Sequence, residues 1–256
     1  MEIEAVGRVL AEARQAGRKL ERYPGAQPSM AQALAIQEAM AVAMGVPVAG
    51  WKVGLTSARA QALCGVDAPL AGPVFADCIW QDGAEIAMVA GDLGILEAEI
   101  GFRMARDLPP RQAPYGRDEV LAAAGEVMPV IEWVNKRLPG DLREAPEWLV
   151  ADGVINRGLV VGQAMRFEPA RDLKAETVQV WADGTRVTEG IGANALGDPA
   201  EVLVWLANDL SARGKGLRRG DVIATGLICD VVQAEPGKRV EARFGALGQV
   251  ALEILA

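Results

Sequence analysis

Three glutamates of this sequence, Glu97, Glu99 and Glu132, stand where a carboxylate could take part in chemistry. Apolar residues alternate with the first two, so a strand here carries both acids on one face. Glu132 falls among the apolar residues of a predicted strand over Val127–Val134, where an unpaired carboxylate is costly. The Glu97/Glu99 pair is either a solvated acidic face or half of a site for a hard divalent ion, and alternation alone leaves both open. Glu132 needs either a charged partner or a cation.

A lysine and an aspartate could add acid–base chemistry to these carboxylates. Lys52 opposes the apolar Trp51 and Val53 in a predicted strand, and Asp77 ends a short apolar run that begins at Pro73. Taken alone, each is equally consistent with a solvated strand or turn residue. The sequence has no histidine, which excludes Ser-His-Asp and Cys-His arrangements and HExxH zinc sites. Acid–base chemistry therefore depends on Asp, Glu, Lys, Tyr, Cys or a metal-bound water.

The elements that must position these side chains form a mixed pattern. Two amphipathic helices are predicted at the N-terminus, over residues 4–22 and from a Ser29/Gln32 capping box to about Met44. Further helices are predicted over residues 118–124 and after an Asp198-Pro199 cap. Strands are predicted over residues 96–104, 127–134, 154–162, 177–181, 185–188, 221–228, 240–244 and 250–254. Many strands with few helices between them favour an α+β fold over regular βαβ units.

The composition indicates an acidic globular protein whose partner is small. The chain has 256 residues, of which 51% are hydrophobic, and a formal charge of -8 with a pI near 4.8. Nucleic acids and anionic membranes are bound by basic patches, so neither is expected as a partner. Cys64, Cys78 and Cys229 show no CxxC spacing, which fits a reducing compartment. No uncharged apolar run approaches the ~18 residues of a membrane span and no leader pattern is found, so a cytoplasmic location is expected.

Three other chemistries lack their motifs. The glycine-rich run Gly190–Gly197 has neither GxGxxG spacing nor the lysine of a P-loop. The serines lie in no GxSxG elbow, and no histidine could activate them. Retaining glycosidases usually place two carboxylates on separate elements, whereas Glu97 and Glu99 share one strand.

Several motifs of this sequence resemble those of one known family. They run in order from residue 50 to residue 226: Gly50-Trp-Lys-Val-Gly-Leu-Thr-Ser57, Gly65-Val-Asp67, Phe75-Ala-Asp77, Glu97-Ala-Glu99, Pro129-Val-Ile-Glu132, Gly192-Ala-Asn-Ala-Leu-Gly197 and Gly220-Asp-Val-Ile-Ala-Thr-Gly226. On these motifs the chain resembles the 2-keto-4-pentenoate hydratase / 4-oxalocrotonate decarboxylase family of the fumarylacetoacetase-like superfamily. The resemblance implies an α+β fold with an N-terminal helical segment over residues 1–48. A catalytic domain over residues 49–256 would follow, with a mixed β-sheet roll or barrel-like core of the fumarylacetoacetase C-terminal-domain type.

The resemblance also implies roles for the site residues. In that family the Glu-x-Glu pair and a later glutamate hold Mg²⁺ or Mn²⁺, and the matching positions are Glu97, Glu99 and Glu132. The implied reaction adds water to a 2-hydroxy-2,4-dienoate, such as 2-hydroxypenta-2,4-dienoate, and gives a 4-hydroxy-2-oxo acid in aromatic-compound catabolism. Lys52 would neutralise the enolate or move a proton, and Asp77 would orient or deprotonate the water.

Three alternatives stay open. The same site could decarboxylate a 2-oxo-3-enedioate such as 4-oxalocrotonate, or hydrolyse a carbon–carbon bond of an acylpyruvate, which the lack of histidine disfavours. The chain could also be a non-catalytic oligomeric protein of the same fold. Two departures from the family pattern bear on the substrate. Trp133–Arg137 replaces an Asp-Ser-Arg-like run, and Ala151-Asp152-Gly153, followed by the bulky Val154 and Ile155, replaces an expected Ala-Asp-Asn. Family members are commonly homo-oligomers, so a homo-oligomer is expected.

Overall fold

The computed structural model describes residues 2–89 and 91–255, so Met1, Ala90 and Ala256 lie outside the described residues. The helices within these ranges are α1 (Ile3–Gln15), α2 (Met30–Met44), α3 (Ala58–Cys64), α4 (Arg117–Ala123), α5 (Pro146–Ala151) and α6 (Pro199–Ala212). The strands are β1 (Val48–Gly54), β2 (Leu70–Phe75), β3 (Ile79–Gln81), β4 (Ala84–Ala87), β5 (Ile95–Met104), β6 (Ala124–Val134), β7 (Asn156–Val161), β8 (Met165–Arg166), β9 (Thr177–Ala182), β10 (Thr185–Ile191), β11 (Val222–Leu227), β12 (Val232–Gln233), β13 (Arg239–Phe244) and β14 (Gly248–Leu255).

Two mixed sheets make up the β-structure of the described residues. The larger sheet has the order β2-β1-β11-β5-β6-β7-β3, with β12 beside β5 and β8 beside β6, and the smaller one has the order β10-β9-β13-β14-β4. In the larger sheet β2, at one end of the path, packs against β7 near the other end, so the sheet curls into a roll. The predicted α+β fold with a mixed, roll-like core is confirmed.

The curl gives the larger sheet two buried faces. Trp51, Ile100 and Phe102 lie on the outer face, which packs against α6 and the smaller sheet. The inner face carries an apolar cluster at one end of the roll, formed by Val74, Met128, Val130, Leu159, Val161, Val222 and Ala224. Successive residues of a strand alternate between faces. Lys52 and the three glutamates share the parity of this inner cluster and therefore lie inside the roll.

The N-terminal helices share a core with the rest of the chain. α1 packs along α2, and Ile36 and Met40 of α2 lie in one buried cluster with Phe75 of β2 and Trp148 of α5. The predicted boundary near residue 48 coincides with the start of β1. The two segments on either side of it bury each other's apolar side chains.

Two local predictions from the sequence are confirmed and one is wrong. The capping box is confirmed, because Ser29 and Gln32 exchange side-chain and backbone hydrogen bonds at the start of α2. Asp183 and Gly184, both at positive φ, form the predicted hairpin between β9 and β10. The predicted extension of the first helix to residue 22 is wrong: α1 ends at Gln15, and Gly17 with φ +59° then turns the chain. No helix of the described residues is long and apolar enough to cross a membrane.

Candidate functional site

Strands β5 and β6 bring the three predicted glutamates together. Glu97 lies directly across the antiparallel ladder from Glu132, and Glu99 follows on the same face of β5. Each residue offers one carboxylate oxygen, and these oxygens lie within 4.8 Å of one another. The register of two neighbouring strands therefore creates an acidic cluster inside the roll.

Glu99 and Glu132 are fully buried, and in each carboxylate one oxygen accepts a hydrogen bond from the described residues while the other does not. Glu99 Oε2 accepts a hydrogen bond from the Gly226 amide at 2.6 Å, and Glu132 Oε1 accepts one from the side-chain amide of Asn156 at 2.9 Å. Glu99 Oε1 and Glu132 Oε2 have no hydrogen-bond partner among the residues that the structure describes. Glu132 Oε2 still lies 3.1 Å from the ammonium of Lys52, whereas Glu99 Oε1 has no such contact within the described part of the chain. A buried polar group left unpaired costs about 1–3 kcal/mol, so Glu99 Oε1 indicates a ligand that binds it.

Lys52 brings a positive charge to the cluster. Its Nζ lies 3.1 Å from Glu132 Oε2 and donates a hydrogen bond to the Val154 carbonyl at 3.2 Å, and its side chain is 3% exposed. Three ionised carboxylates and one ammonium sum to a charge of -2. A divalent cation would cancel that charge, which fits a buried site that must be neutral overall. The donor set consists of carboxylate oxygens, which magnesium and manganese prefer.

Burial and mutual repulsion favour the protonated forms of Glu97 and Glu99. Burial, reinforced by the charge of Glu132, raises the pKa of Glu97 to about 7 despite the opposing effect of Lys52. Burial, and then the charges of Glu132 and Glu97, raise the pKa of Glu99 well above its usual range. Burial lowers the pKa of Lys52, but the charges of the three carboxylates outweigh it and leave that pKa raised. Ionised acids at this density need a compensating cation.

A bulge in β11 supplies the amide that holds Glu99. The register between β11 and β5 shifts between Ala224 and Leu227, and Gly226 there has φ +94°. A Cβ on Gly226 would lie 2.1 Å from Thr56 Oγ1, so only glycine fits. Sequence reasoning took Gly226 only as part of a family motif. A glycine near a strand end signals a bulge and could have identified it.

A left-handed turn before β7 covers the cluster, where the sequence pattern predicts a strand from Val154. Gly153, Val154 and Ile155 have φ values of +67°, +52° and +52°, so the strand begins only at Asn156. Left-handed backbone costs an ordinary residue about 1–2 kcal/mol, and such strain often occurs at functional sites. The turn directs the Val154 carbonyl at Lys52. The β-branched pair gave a strand signal, which concealed the turn.

A cavity of about 520 Å³ opens beside the cluster. Lys52 and Glu97 lie in its wall, and aliphatic side chains supply much of the remainder: Leu55, Val134, Leu149, Val154, Ile155 and Leu227. Arg59, Glu189 and Asp230 are the exposed charged residues of the described wall. The cavity has the size and the mixed lining of a small-molecule site.

The structure leaves Asp77 outside this cavity. Asp77 is exposed in the 3-10 turn Ala76–Cys78, where it accepts a hydrogen bond from Cys78 Sγ at 3.3 Å. β2 runs antiparallel to β1 and carries the chain past Val48, away from the end of β1 that holds Lys52. Among the described residues, no hydrogen bond or ion pair joins Asp77 to the cluster. The fold therefore brings together Lys52 and the three glutamates, but not Asp77.

The chain is similar to proteins of known activity along almost its whole length. It is 34% identical over 212 residues to the 2-keto-4-pentenoate hydratase of Paraburkholderia xenovorans strain LB400, which covers 83% of this chain and 78% of that one. It is 30% identical over 259 residues to the 2-hydroxyhexa-2,4-dienoate hydratase of Comamonas testosteroni, covering 98% and 97% of the two chains.

The same fold is found in a solved structure. The 4-oxalocrotonate decarboxylase from Pseudomonas putida G7, complexed with magnesium and adipate, superimposes with a TM-score of 0.88 at 26% identity, covering 99% of this chain and 97% of that one. Residues 58–255 match the model of the family described as fumarylacetoacetate (FAA) hydrolase C-terminal. Since that match spans most of the chain, the protein belongs to the FAA hydrolase C-terminal family.

Proposed function

We propose that this chain is a divalent-metal-dependent hydratase that adds water to a 2-hydroxy-2,4-dienoate and gives a 4-hydroxy-2-oxo acid. The relatives at 30–34% identity are named hydratases, which are hydro-lyases, so the chain is an enzyme of the lyase class. The observation that carries the proposal is the acidic cluster with Lys52 beside a cavity of about 520 Å³. That arrangement suits an acid substrate that becomes an enolate during the reaction.

Glu97, Glu99 and Glu132 would hold the metal ion. The unpaired oxygen of Glu99 and the net charge of the cluster support this assignment. Mg²⁺ and Mn²⁺ are the proposed ions, because both prefer oxygen ligands and keep open positions. When bound, the ion supplies Lewis-acid stabilisation of negative charge on the substrate.

Lys52 would neutralise the developing enolate or move a proton to or from it. Its ammonium already lies among carboxylates, which keep it charged. The Val154 carbonyl and Glu132 hold the ammonium in position, so little reorganisation is needed when charge develops beside it. The aliphatic side chains of the wall would pack against the rest of the substrate.

The residues that line the cavity favour a substrate with one carboxylate. A second carboxylate would meet aliphatic side chains such as Ile155 and the acids Glu189 and Asp230. Apart from Lys52, the cationic residue in the described wall is Arg59, which is exposed. These features favour hydration of a monoacid over decarboxylation of a diacid. Decarboxylation is the second candidate, because the superposition on the 4-oxalocrotonate decarboxylase covers nearly the whole chain.

An assay of two substrates separates the candidates. The purified protein is mixed with Mg²⁺ and either 2-hydroxypenta-2,4-dienoate or 2-hydroxymuconate, while dienol absorbance and carbon dioxide are followed. We expect loss of the monoacid chromophore with formation of the 4-hydroxy-2-oxo acid, and no carbon dioxide from the diacid. Carbon dioxide from the diacid without hydration of the monoacid would assign the decarboxylase reaction instead.

Two variants test the residues of the proposal. Lys52→Met should lower kcat by about 10²–10⁴-fold, the range for a lost acid–base group. Asp77→Asn should keep kcat near that of the wild type, because Asp77 lies outside the cavity. An equal loss of kcat in both variants would show that Asp77 takes part in the reaction. Self-association into a homo-oligomer stays a prediction, which light scattering can test. The cytoplasmic location also stays a prediction.

A further inference from the structure

Asn156, the first residue of β7, lies directly behind the acidic cluster. Its Nδ2 donates a hydrogen bond to Glu132 Oε1 at 2.9 Å, and both residues are fully buried. The other oxygen, Glu132 Oε2, lies 3.1 Å from Lys52 Nζ. The two oxygens of the Glu132 carboxylate are therefore held separately, one by Asn156 and the other by Lys52.

Arg14 of α1 fixes which way the Asn156 amide points. Its Nη2 lies 3.5 Å from Asn156 Oδ1, and its Nη1 donates to the Asn156 backbone carbonyl. A guanidinium can only donate hydrogen bonds and a carboxylate can only accept them. Asn156 lies between the two, so only one orientation of its amide satisfies both neighbours, with the oxygen toward Arg14 and the NH₂ toward Glu132.

Further contacts hold Arg14 and Asn156 in place. Arg14 Nη2 donates to the Arg157 carbonyl at 2.9 Å, and the guanidinium lies 4.9 Å from the centre of the Phe75 ring. Arg137 donates to the Asn156 carbonyl at 3.0 Å and forms a buried ion pair with an aspartate, Asp152, at 2.7 Å. Both residues that link α1 to the cluster are thus held by more than one contact.

From these contacts we infer that Asn156 and Arg14 are positioning residues for the metal centre, so that the N-terminal helix α1 contributes to metal affinity. The inference rests on the proposed function, because it takes Glu132 as a metal ligand. Hydrogen bonds that orient ligands from behind commonly account for 10–100-fold in metal affinity. Arg14 acts through Asn156 and touches neither metal nor substrate.

The test measures Mn²⁺ affinity of the metal-free full-length protein, by calorimetry or by loss of the free Mn²⁺ spin-resonance signal. Asn156→Leu should weaken binding by about 10–100-fold, and Arg14→Met should weaken it less. The double variant should bind like Asn156→Leu alone, because the two residues act in series. Unfolding curves identify any variant that fails to fold. If Asn156→Leu does not fold, the Mn²⁺ affinity of Arg14→Met is compared with that of the wild type instead.

The direction in which Arg14→Met changes Mn²⁺ affinity distinguishes a positioning role of Arg14 from an effect of its charge. Removing a positive charge would by Coulomb attraction alone strengthen the binding of a cation, so weaker binding by Arg14→Met requires the hydrogen-bond chain. Arg18→Met is the charge control, since Arg18 is exposed just beyond α1. Gln37→Leu is the packing control: Gln37 is a buried amide of α2 that bonds to the Ala71 and Val150 carbonyls, away from Glu132. Both controls should bind Mn²⁺ like the wild type.

The results distinguish this inference from the proposed function. If Glu132→Gln loses Mn²⁺ binding while Asn156→Leu and Arg14→Met keep wild-type affinity, the metal centre stands and the positioning role is wrong. If Gln37→Leu weakens binding as much as Arg14→Met, the effect is general loosening and the inference also fails. If the wild type itself does not bind Mn²⁺, both the metal centre and the inference fall.

Discussion

Glu97 and Glu99 show how far single residues can be interpreted from a strand pattern. Alternation predicts their shared face correctly, but it cannot say whether that face meets solvent or protein. The answer comes from Glu132 and Lys52, which lie on other strands and reach the cluster through register. Asn156 carried no local signal at all, because its role depends on a partner 24 positions away in the chain.

Cys229 supplies a prediction at this scale. Its side chain lies in the cavity wall, where it could be taken for a nucleophile. Burial above all, with nearby acids adding to it, raises the pKa of its thiol to about 12. At pH 7 the thiolate is then on the order of one part in 10⁵, so we expect that the residue does not act as a nucleophile. Cys229→Ser should keep kcat within about threefold of the wild type in the hydration assay.

Cys64→Ser is the matched control, since Cys64 is buried outside the cavity wall. A loss of more than tenfold that is confined to the Cys229 variant would show that the thiol takes part in the reaction. Circular dichroism of both variants verifies that they are folded.

At the scale of elements, the helix ends were predictable and the turn before β7 was not. Capping residues act within three or four positions, so Ser29 and Asp198 mark the starts of α2 and α6 in sequence. The turn at 153–155 opposes its own local preference, because β-branched residues favour extended backbone. Tertiary contacts, including the bond between the Val154 carbonyl and Lys52, therefore have to hold it.

This strain predicts an unusual response to glycine. Ile155 and Ile79 are both partly buried, but Ile155 has φ +52° and Ile79 has φ -109°. Either change to glycine removes the same side chain, while Ile155→Gly also relieves left-handed backbone, which costs about 1–2 kcal/mol. Ile155→Gly should therefore lower the free energy of unfolding by about 1–2 kcal/mol less than Ile79→Gly does. Urea unfolding of the two variants measures the difference, and equal losses would mean that the turn is not strained.

At the scale of the molecule, the larger sheet curls into a roll, so both of its faces are buried. A strand of this sheet can therefore carry acids on one face and apolar core residues on the other. A flat antiparallel sheet would have exposed the glutamates. The order of the predicted strands and helices indicated the α+β class, and the resemblance to a known family implied the roll. The shared core between the N-terminal helices and α5 depends on contacts more than 100 residues apart, which no local pattern encodes. The sequence boundary at residue 48 therefore does not tell whether the two segments fold independently.

The shared core predicts that the N-terminal helices and the β-roll unfold together. Met40 is fully buried among residues of both segments, so Met40→Ala should lower the free energy of unfolding by about 2–5 kcal/mol. The loss should shift far-UV circular dichroism and tryptophan fluorescence by the same denaturant concentration, because one cooperative unit gives coincident transitions. Val42→Ala, in the same helix but 82% exposed, should change the free energy of unfolding by no more than about 0.5 kcal/mol. An early transition seen only by circular dichroism would show that the helices unfold alone. In that case the roll could be folded while helix α1 is unfolded, and Arg14 would then lose its contact with Asn156.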